Sequence, residues 1–195
     1  FGKEKDSMWV IDPLDGTTNY IHGFPYYAIS IAYVEKGKPL HAIVIDVARQ
    51  DEFTASLGRG AYLNDRRIRV SKQHGLKGAL LSNSSHDTDK GKMRHDNMAT
   101  FKSLYSNGLT IRRTGSAALD IANVAAGRLD GFWGSGLGMW DFAAGGLLVQ
   151  EAGGLVSNYF GEPGYIDGDN IICSATKCFK PMLQAIKPHV TMIEG

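Results

Sequence analysis

The stretch Trp9-Val10-Ile11-Asp12-Pro13-Leu14-Asp15-Gly16-Thr17-Thr18-Asn19-Tyr20 constrains this 195-residue chain more than any other. Its apolar front half, Met8 to Ile11, contains a β-branched pair and reads as the end of a buried strand. Proline lacks an N–H and pushes the residue before it away from helical angles, so the strand is predicted to end at Asp12-Pro13 and the chain to turn. Asp12 and Asp15 then share a turn at a strand end, and Gly16-Thr17-Thr18 follows with bare backbone N–H groups and a hydroxyl. Hard divalent cations take oxygen ligands, and Mg²⁺ commonly combines one or two carboxylates with substrate phosphate oxygens. A Gly-Thr turn supplies N–H groups to a phosphate, more so where a short helix begins. Cation and anion would thus be held by neighbouring residues, as metal-assisted phosphoryl chemistry requires. An Asp-Pro turn with a solvent-facing Asp-Gly accounts for the same residues, and the D-x-x-D spacing alone does not separate the two.

The rest of the chain reads as alternating sheet-rich and helix-rich stretches. Strands are predicted at Tyr26–Val34 and Pro39–Val47 around the polar turn Glu35-Lys36-Gly37-Lys38, then at Glu52–Leu57. Short strands follow at Ala61–Leu63 and Ile68–Val70 with Asn64-Asp65 at the tip, and at Ala79–Ser82. Arg66, Arg67 and Arg69 read as a solvated strand edge or a contact for an anion. The polar loop Ser84-Ser85-His86-Asp87-Thr88-Asp89 has metal-capable side chains without a ligand spacing, and His22 reads as loop surface or a proton donor. A helical spacing runs from Lys92 to Ser106, and a strand covers Thr110–Arg112. A second helix spans Ala117–Ala126, with Ser116 as N-cap and Gly127 after its end. Gly134-Ser135-Gly136-Leu137-Gly138 fails the dinucleotide fingerprint in its glycine spacing and reads as a loop delivering Trp140-Asp141. Asp141 is predicted as N-cap of a helix over Phe142–Ala152 closed by Gly153; strands at Gly154–Ser157 and Ile171–Ser174 and a helix at Thr176–Ile186 complete the chain. The pattern implies an α+β fold of layered helices and sheets with mixed strand directions, in one domain over residues 1–195, and not a doubly wound nucleotide fold.

Bulk properties exclude some functions and leave others. The net charge of +1 gives no electrostatic case for nucleic acid or an anionic membrane, and no apolar run reaches the length of a membrane span. Cys173 and Cys178 are predicted to be buried thiols, which fits a reducing cytoplasm.

Two motifs carry a resemblance. The opening string resembles the W-x-I-D-P-[LI]-D-G-T signature of the inositol monophosphatase family, and Trp140-Asp141-Phe142-Ala143-Ala144-Gly145 resembles its W-D-x-A-[AG]-[GA] signature. Arg113-Thr114-Gly115-Ser116-Ala117-Ala118 is similar to a third family segment. The resemblance runs over almost the whole chain and thins between Ser82 and Asn97. It implies an α-β-α-β-α sandwich and a cytoplasmic, lithium-sensitive, homodimeric Mg²⁺-dependent phosphatase. Asp12, the carbonyl of Leu14, Asp15 and Asp141 would bind two or three Mg²⁺ ions. Gly16 and Thr17 N–H groups would hold the phosphate, the Thr17 hydroxyl would orient the attacking water, and Asp15, Ala117 and Asp141 would face the substrate. Family members also carry an N-terminal helical segment with a Gly-Glu-Glu motif whose glutamate is a metal ligand. Glu4 is not in that context, so the first helical layer is expected to be missing from this chain.

The substrate implied is a small phosphate monoester, myo-inositol phosphate first. The family's hydroxyl-binding glutamate lies seven residues before the second motif's aspartate, where this chain has Gly134. Histidinol phosphate and fructose 1,6-bisphosphate are therefore alternatives, as is a non-catalytic regulatory binding protein that keeps the fold.

Overall fold

The computed structural model describes residues 6–85, 93–106 and 109–192. Strands β1 (Ser7–Asp15), β2 (Ala28–Glu35), β3 (Lys38–Asp46), β4 (Asp51–Ser56), β5 (Gly60–Leu63) and β6 (Arg66–Arg67) form an antiparallel sheet in sequence order. Lys36 and Gly37 take positive φ values of 48° and 72°, the backbone that tight hairpins need to match strand twist. A second sheet has the order β11 (Leu155–Ser157), β12 (Asn170–Ser174), β10 (Gly131–Ser135), β7 (Leu80–Ser85), β9 (Thr110–Arg112). Here β7 runs parallel to both β10 and β9, while β12 is antiparallel to its neighbours.

Among the described residues the α-helices are α1 (Thr17–Ile21), α2 (Asn97–Ser106), α3 (Ala117–Ala125), α4 (Met139–Glu151) and α5 (Thr176–Ile186). Helices α3 and α4 pack against each other between the two sheets, and α2 and α5 lie together, α5 against the second sheet. The α3–α4 approach needs small residues. A Cβ at Gly145 would come within 2.6 Å of Ile121, and four of the buried residues of α3 are alanines, Ala117, Ala118, Ala122 and Ala125. Burial follows from this layering. Along β2 buried and half-buried residues alternate, whereas β10 and β12 are buried throughout because helices cover both faces. Phe132 and Trp133 thus point into different apolar clusters on the two sides of β10.

Several elements differ from the sequence expectation. β1 is neither buried nor finished at Asp12-Pro13: it is a sheet edge, Trp9 is 66% and Ile11 53% exposed, and of its front half only Val10 enters the core. Edge position is also what tolerates Pro13, whose missing N–H breaks no interior ladder. The strand after the Asn64-Asp65 tip is Arg66–Arg67, not Ile68–Val70, and both arginines are exposed on the far edge. Helix α2 begins at Asn97 rather than Lys92, because residues Met93–His95 form β8, which pairs with β13 (Val190–Met192). Lys92, the loop residues His86 to Asp89 and Glu4 lie outside the described residues. Both cysteines are buried and unpaired, as expected. Among the described residues no helix is long and apolar enough to cross a membrane.

Candidate active site

A bulge decides where the first two carboxylates point. In a regular strand residues three apart face opposite sides. In β1 the pairing jumps from Asp12 opposite Ser30 to Asp15 opposite Ala28, so Pro13 and Leu14 face a single residue of β2. The extra residue returns Asp15 to the side of Asp12. The Leu14 N–H donates to Asp12 Oδ1 at 3.0 Å, which holds the bulge from within. Gly16 then turns with φ +88°, where an added Cβ would lie 3.0 Å from the Tyr26 carbonyl oxygen. Helix α1 starts directly after it, and the Thr17 hydroxyl donates back to the Leu14 carbonyl at 3.0 Å.

Asp15 is buried against the start of α3. Its Oδ2 accepts from the Ser116 hydroxyl at 2.5 Å and from the Ala118 N–H at 2.8 Å, while Ser116 Oγ also accepts from Leu119 N–H as the expected N-cap. Burial raises the Asp15 pKa, and these two donors oppose the shift. Asp141 arrives from α4. It is not the N-cap: Gly138 holds that position, and Asp141 stands three residues in, its Oδ2 accepting from the Gly138 N–H at 2.7 Å. The same helix start is tied to the first sheet by Ser30, whose hydroxyl donates to the Trp140 carbonyl at 3.1 Å. Burial pushes the Asp141 carboxyl up to about 7, the Gly138 N–H opposes this, and the charges of Asp15 and Asp12 add to the rise.

One oxygen from each of Asp12, Asp15 and Asp141 lies within 4.8 Å of the others. Among the described residues no lysine, arginine or histidine forms an ion pair with any of the three. Such a set of uncompensated carboxylates fits a hard divalent cation, which would replace mutual repulsion by shared attraction.

Beside the carboxylates is a half-buried polar bolt, centred on the buried Asp120, that sequence reasoning missed. Asn19 Nδ2 donates to the carbonyls of Tyr26 at 2.7 Å and Thr114 at 2.9 Å. The Tyr26 and Thr114 hydroxyls both donate to Asp120 Oδ1, at 2.8 and 2.7 Å. Burial raises Asp120 to about 7. The bolt fastens the turn after β1 to the segment entering α3. Asn19 lies in the first motif and Thr114 in the third segment, whereas Tyr26 and Asp120 carried no sequence signal.

The carboxylates open into a cavity of about 500 Å³ that is lined by Asp12, Leu14, Asp15, Gly16, Thr17, Ala117 and Asp141, every residue predicted for the site. His22 is exposed just after α1 and is absent from the lining. Ser84, Arg113 and Leu137 also line the cavity, as a second wall built from other elements. These stand at or just beyond the carboxyl ends of β7, β9 and β10, three strands running in one direction. Ligands commonly bind at such ends in sheets of parallel strands.

Similarity to known proteins extends over almost the whole chain. The model of the inositol monophosphatase family matches residues 2–190. The Nus factor SuhB of Pseudomonas aeruginosa is 53% identical over 190 residues, covering 97% of this chain and 70% of that protein. Among solved structures, the extragenic suppressor protein suhB from Bartonella henselae superposes with a TM-score of 0.87 at 37% identity, over 95% of this chain and 71% of that one. Staphylococcal IMPase-II, solved with inositol monophosphate bound, gives 0.82 at 30% identity, over 95% and 71%.

Proposed function

Because the chain belongs to the inositol monophosphatase family, we propose that it is part of a Mg²⁺-dependent phosphomonoester hydrolase, acting as one domain over residues 1–195. The observation that most supports this is the meeting of Asp12, Asp15 and Asp141 oxygens within 4.8 Å, beside the Gly16-Thr17 turn of the same cavity. Asp12, Asp15, Asp141 and the Leu14 carbonyl would hold Mg²⁺. When bound, the metal neutralises phosphate charge and makes water a better nucleophile at neutral pH.

The chain's own groups do the rest. Gly16 and Thr17 line the same cavity as the converging carboxylates, and their N–H groups would hold phosphate oxygens. The Thr17 hydroxyl spends its one proton on the Leu14 carbonyl, so it is left as an acceptor and would orient a water by taking a hydrogen bond from it. Ala117, near the start of α3, would border the substrate, and Asp141 would face its hydroxyls. Inositol 1-phosphate is one substrate of this class, with histidinol phosphate and fructose 1,6-bisphosphate as the others.

A second reading rests on the relatives' names. Several of the similar proteins are Nus factors, at 53% identity in one case, and a binding role of that kind within a macromolecular assembly would use the same fold. Phosphate release by the complete protein separates the two, measured with and without Mg²⁺ and with Li⁺ added, on those esters. Mg²⁺-dependent, Li⁺-inhibited turnover is expected. No release from folded, Mg²⁺-binding protein would favour the binding role.

A further inference from the structure

We propose that Arg113 binds a second phosphate on the substrate's leaving group, so that this cavity selects phosphate esters carrying another phosphoryl group over neutral polyol monophosphates. The inference rests on the phosphatase reading and concerns the wall of the same cavity that Ser84, Arg113 and Leu137 form.

The first observation is steric. Gly134 sits inside β10, where an added Cβ would lie 2.6 Å from the Ser84 carbonyl oxygen and 2.6 Å from Leu137 Cδ1. Real Cβ atoms do not approach backbone oxygens that closely, so no side chain enters the cavity from position 134. A carboxylate acceptor for sugar hydroxyls has no room there. Leu137 fills the space instead, and the polar side chains left on that wall are Ser84 and Arg113.

The second observation is charge. Arg49 and Arg128, which line a separate cavity, are spent on Asp46 at 2.9 Å and Asp51 at 2.8 Å. Arg113 forms no ion pair among the described residues. Its Nη2 donates to the Ser85 carbonyl at 2.6 Å, which anchors one edge of the guanidinium at the end of β7 and leaves its other N–H donors for a ligand. The backbone is fixed as well: Thr114, next in the chain, is held through its carbonyl by Asn19 and through its hydroxyl by Asp120. A cation so positioned, across a cavity whose other charged side chains are carboxylates, is placed to take a tetrahedral dianion through paired hydrogen bonds.

The test compares fructose 1,6-bisphosphate with fructose 1-phosphate, using the complete protein with Mg²⁺. Charge-assisted hydrogen bonds of this kind correspond to roughly ten- to a hundredfold in kcat/KM, so the bisphosphate is expected to be preferred by about that factor. Arg113→Ala should lower kcat/KM at least about tenfold more for the bisphosphate than for the monophosphate, and Arg113→Lys should recover part of the difference. Equal kcat/KM for the two esters, or an equal loss on both in Arg113→Ala, overturns the proposal. If neither ester turns over, equilibrium binding of the same pair with Mg²⁺ decides on Arg113, and the phosphatase reading fails as well only if inositol 1-phosphate and histidinol phosphate are left unhydrolysed too. Tighter binding of the bisphosphate that Arg113→Ala removes upholds its role, and equal affinities overturn it.

Discussion

The cavity's two walls are assembled in different ways. In the acidic wall, Asp12, Asp15, Gly16 and Thr17 come from one short run of chain, and Asp141 from the first turn of one helix. In the second wall, Ser84, Arg113 and Leu137 come from three separate segments that meet because β7, β9 and β10 run side by side. Chemistry common to a family can be stored in a local motif that a strand bulge aims. On the proposed reading, recognition of the leaving group would be spread over strand ends, where a change at one position such as 134 would alter it without touching the motif.

The largest effect should come from the acidic wall. Asp12→Asn is expected to lower Mg²⁺-dependent phosphate release by at least about a hundredfold, since several kcal/mol of charge stabilisation depend on such ligands. The melting temperature of the metal-free variant should stay unchanged or rise, because one repelling charge has gone.

Next comes the bolt beside that wall. Asp120 is fully buried, and burial raises its carboxyl from 3.8 to about 7. It therefore holds its proton more tightly folded than unfolded. The stability this contributes is complete below pH 3.8 and is lost as pH rises through about 7. Metal-free protein should lose stability on the order of 3 kcal/mol across that window, read as melting temperature against pH. Asp120→Asn should flatten the slope; an unchanged slope would remove Asp120 from the account.

In the second wall, Gly134→Glu should destabilise the chain by about 1–3 kcal/mol through overpacking against Ser84 and Leu137, a drop of several degrees in melting temperature. A variant of undiminished stability that gains activity on inositol phosphate would show this wall to be plastic, blurring the contrast between the two. The smallest effect belongs to Ser116→Ala. Loss of the cap and of one donor to Asp15 should cost about 1 kcal/mol. The Asp15 pKa should rise further, so Mg²⁺ titrations should show weaker affinity at neutral pH and a dependence shifted to higher pH.

The same contrast explains what the sequence made legible. Asp12 to Thr17 could be placed on one turn because proline, glycine and the carboxylate spacing act locally. Helices α3 and α5 could be bounded by Ser116 and by apolar period, and strand Thr110–Arg112 coincides with β9. The bulge could not be read: nothing local says that β1 continues past Pro13 or that its outward residues Trp9 and Ile11 stay exposed. Asp141 is a sound N-cap by residue type, yet the helix starts earlier, at Met139. The β8–β13 pair joins three-residue strands nearly a hundred positions apart, and Arg113 acquires its place only through Ser85 and Asn19. Long-range pairing carries such information, and local pattern does not.

Asp12, Asp15 and Asp141 are proposed to form a metal-dependent phosphatase centre. Its most direct test is phosphate release by the complete protein with Mg²⁺, run beside Asp141→Asn, which keeps an oxygen for the Gly138 N–H while removing the charge. The account expects turnover that requires Mg²⁺ and falls at least about a hundredfold in the variant. Turnover that persists without Mg²⁺, or that Asp141→Asn leaves intact, would contradict it.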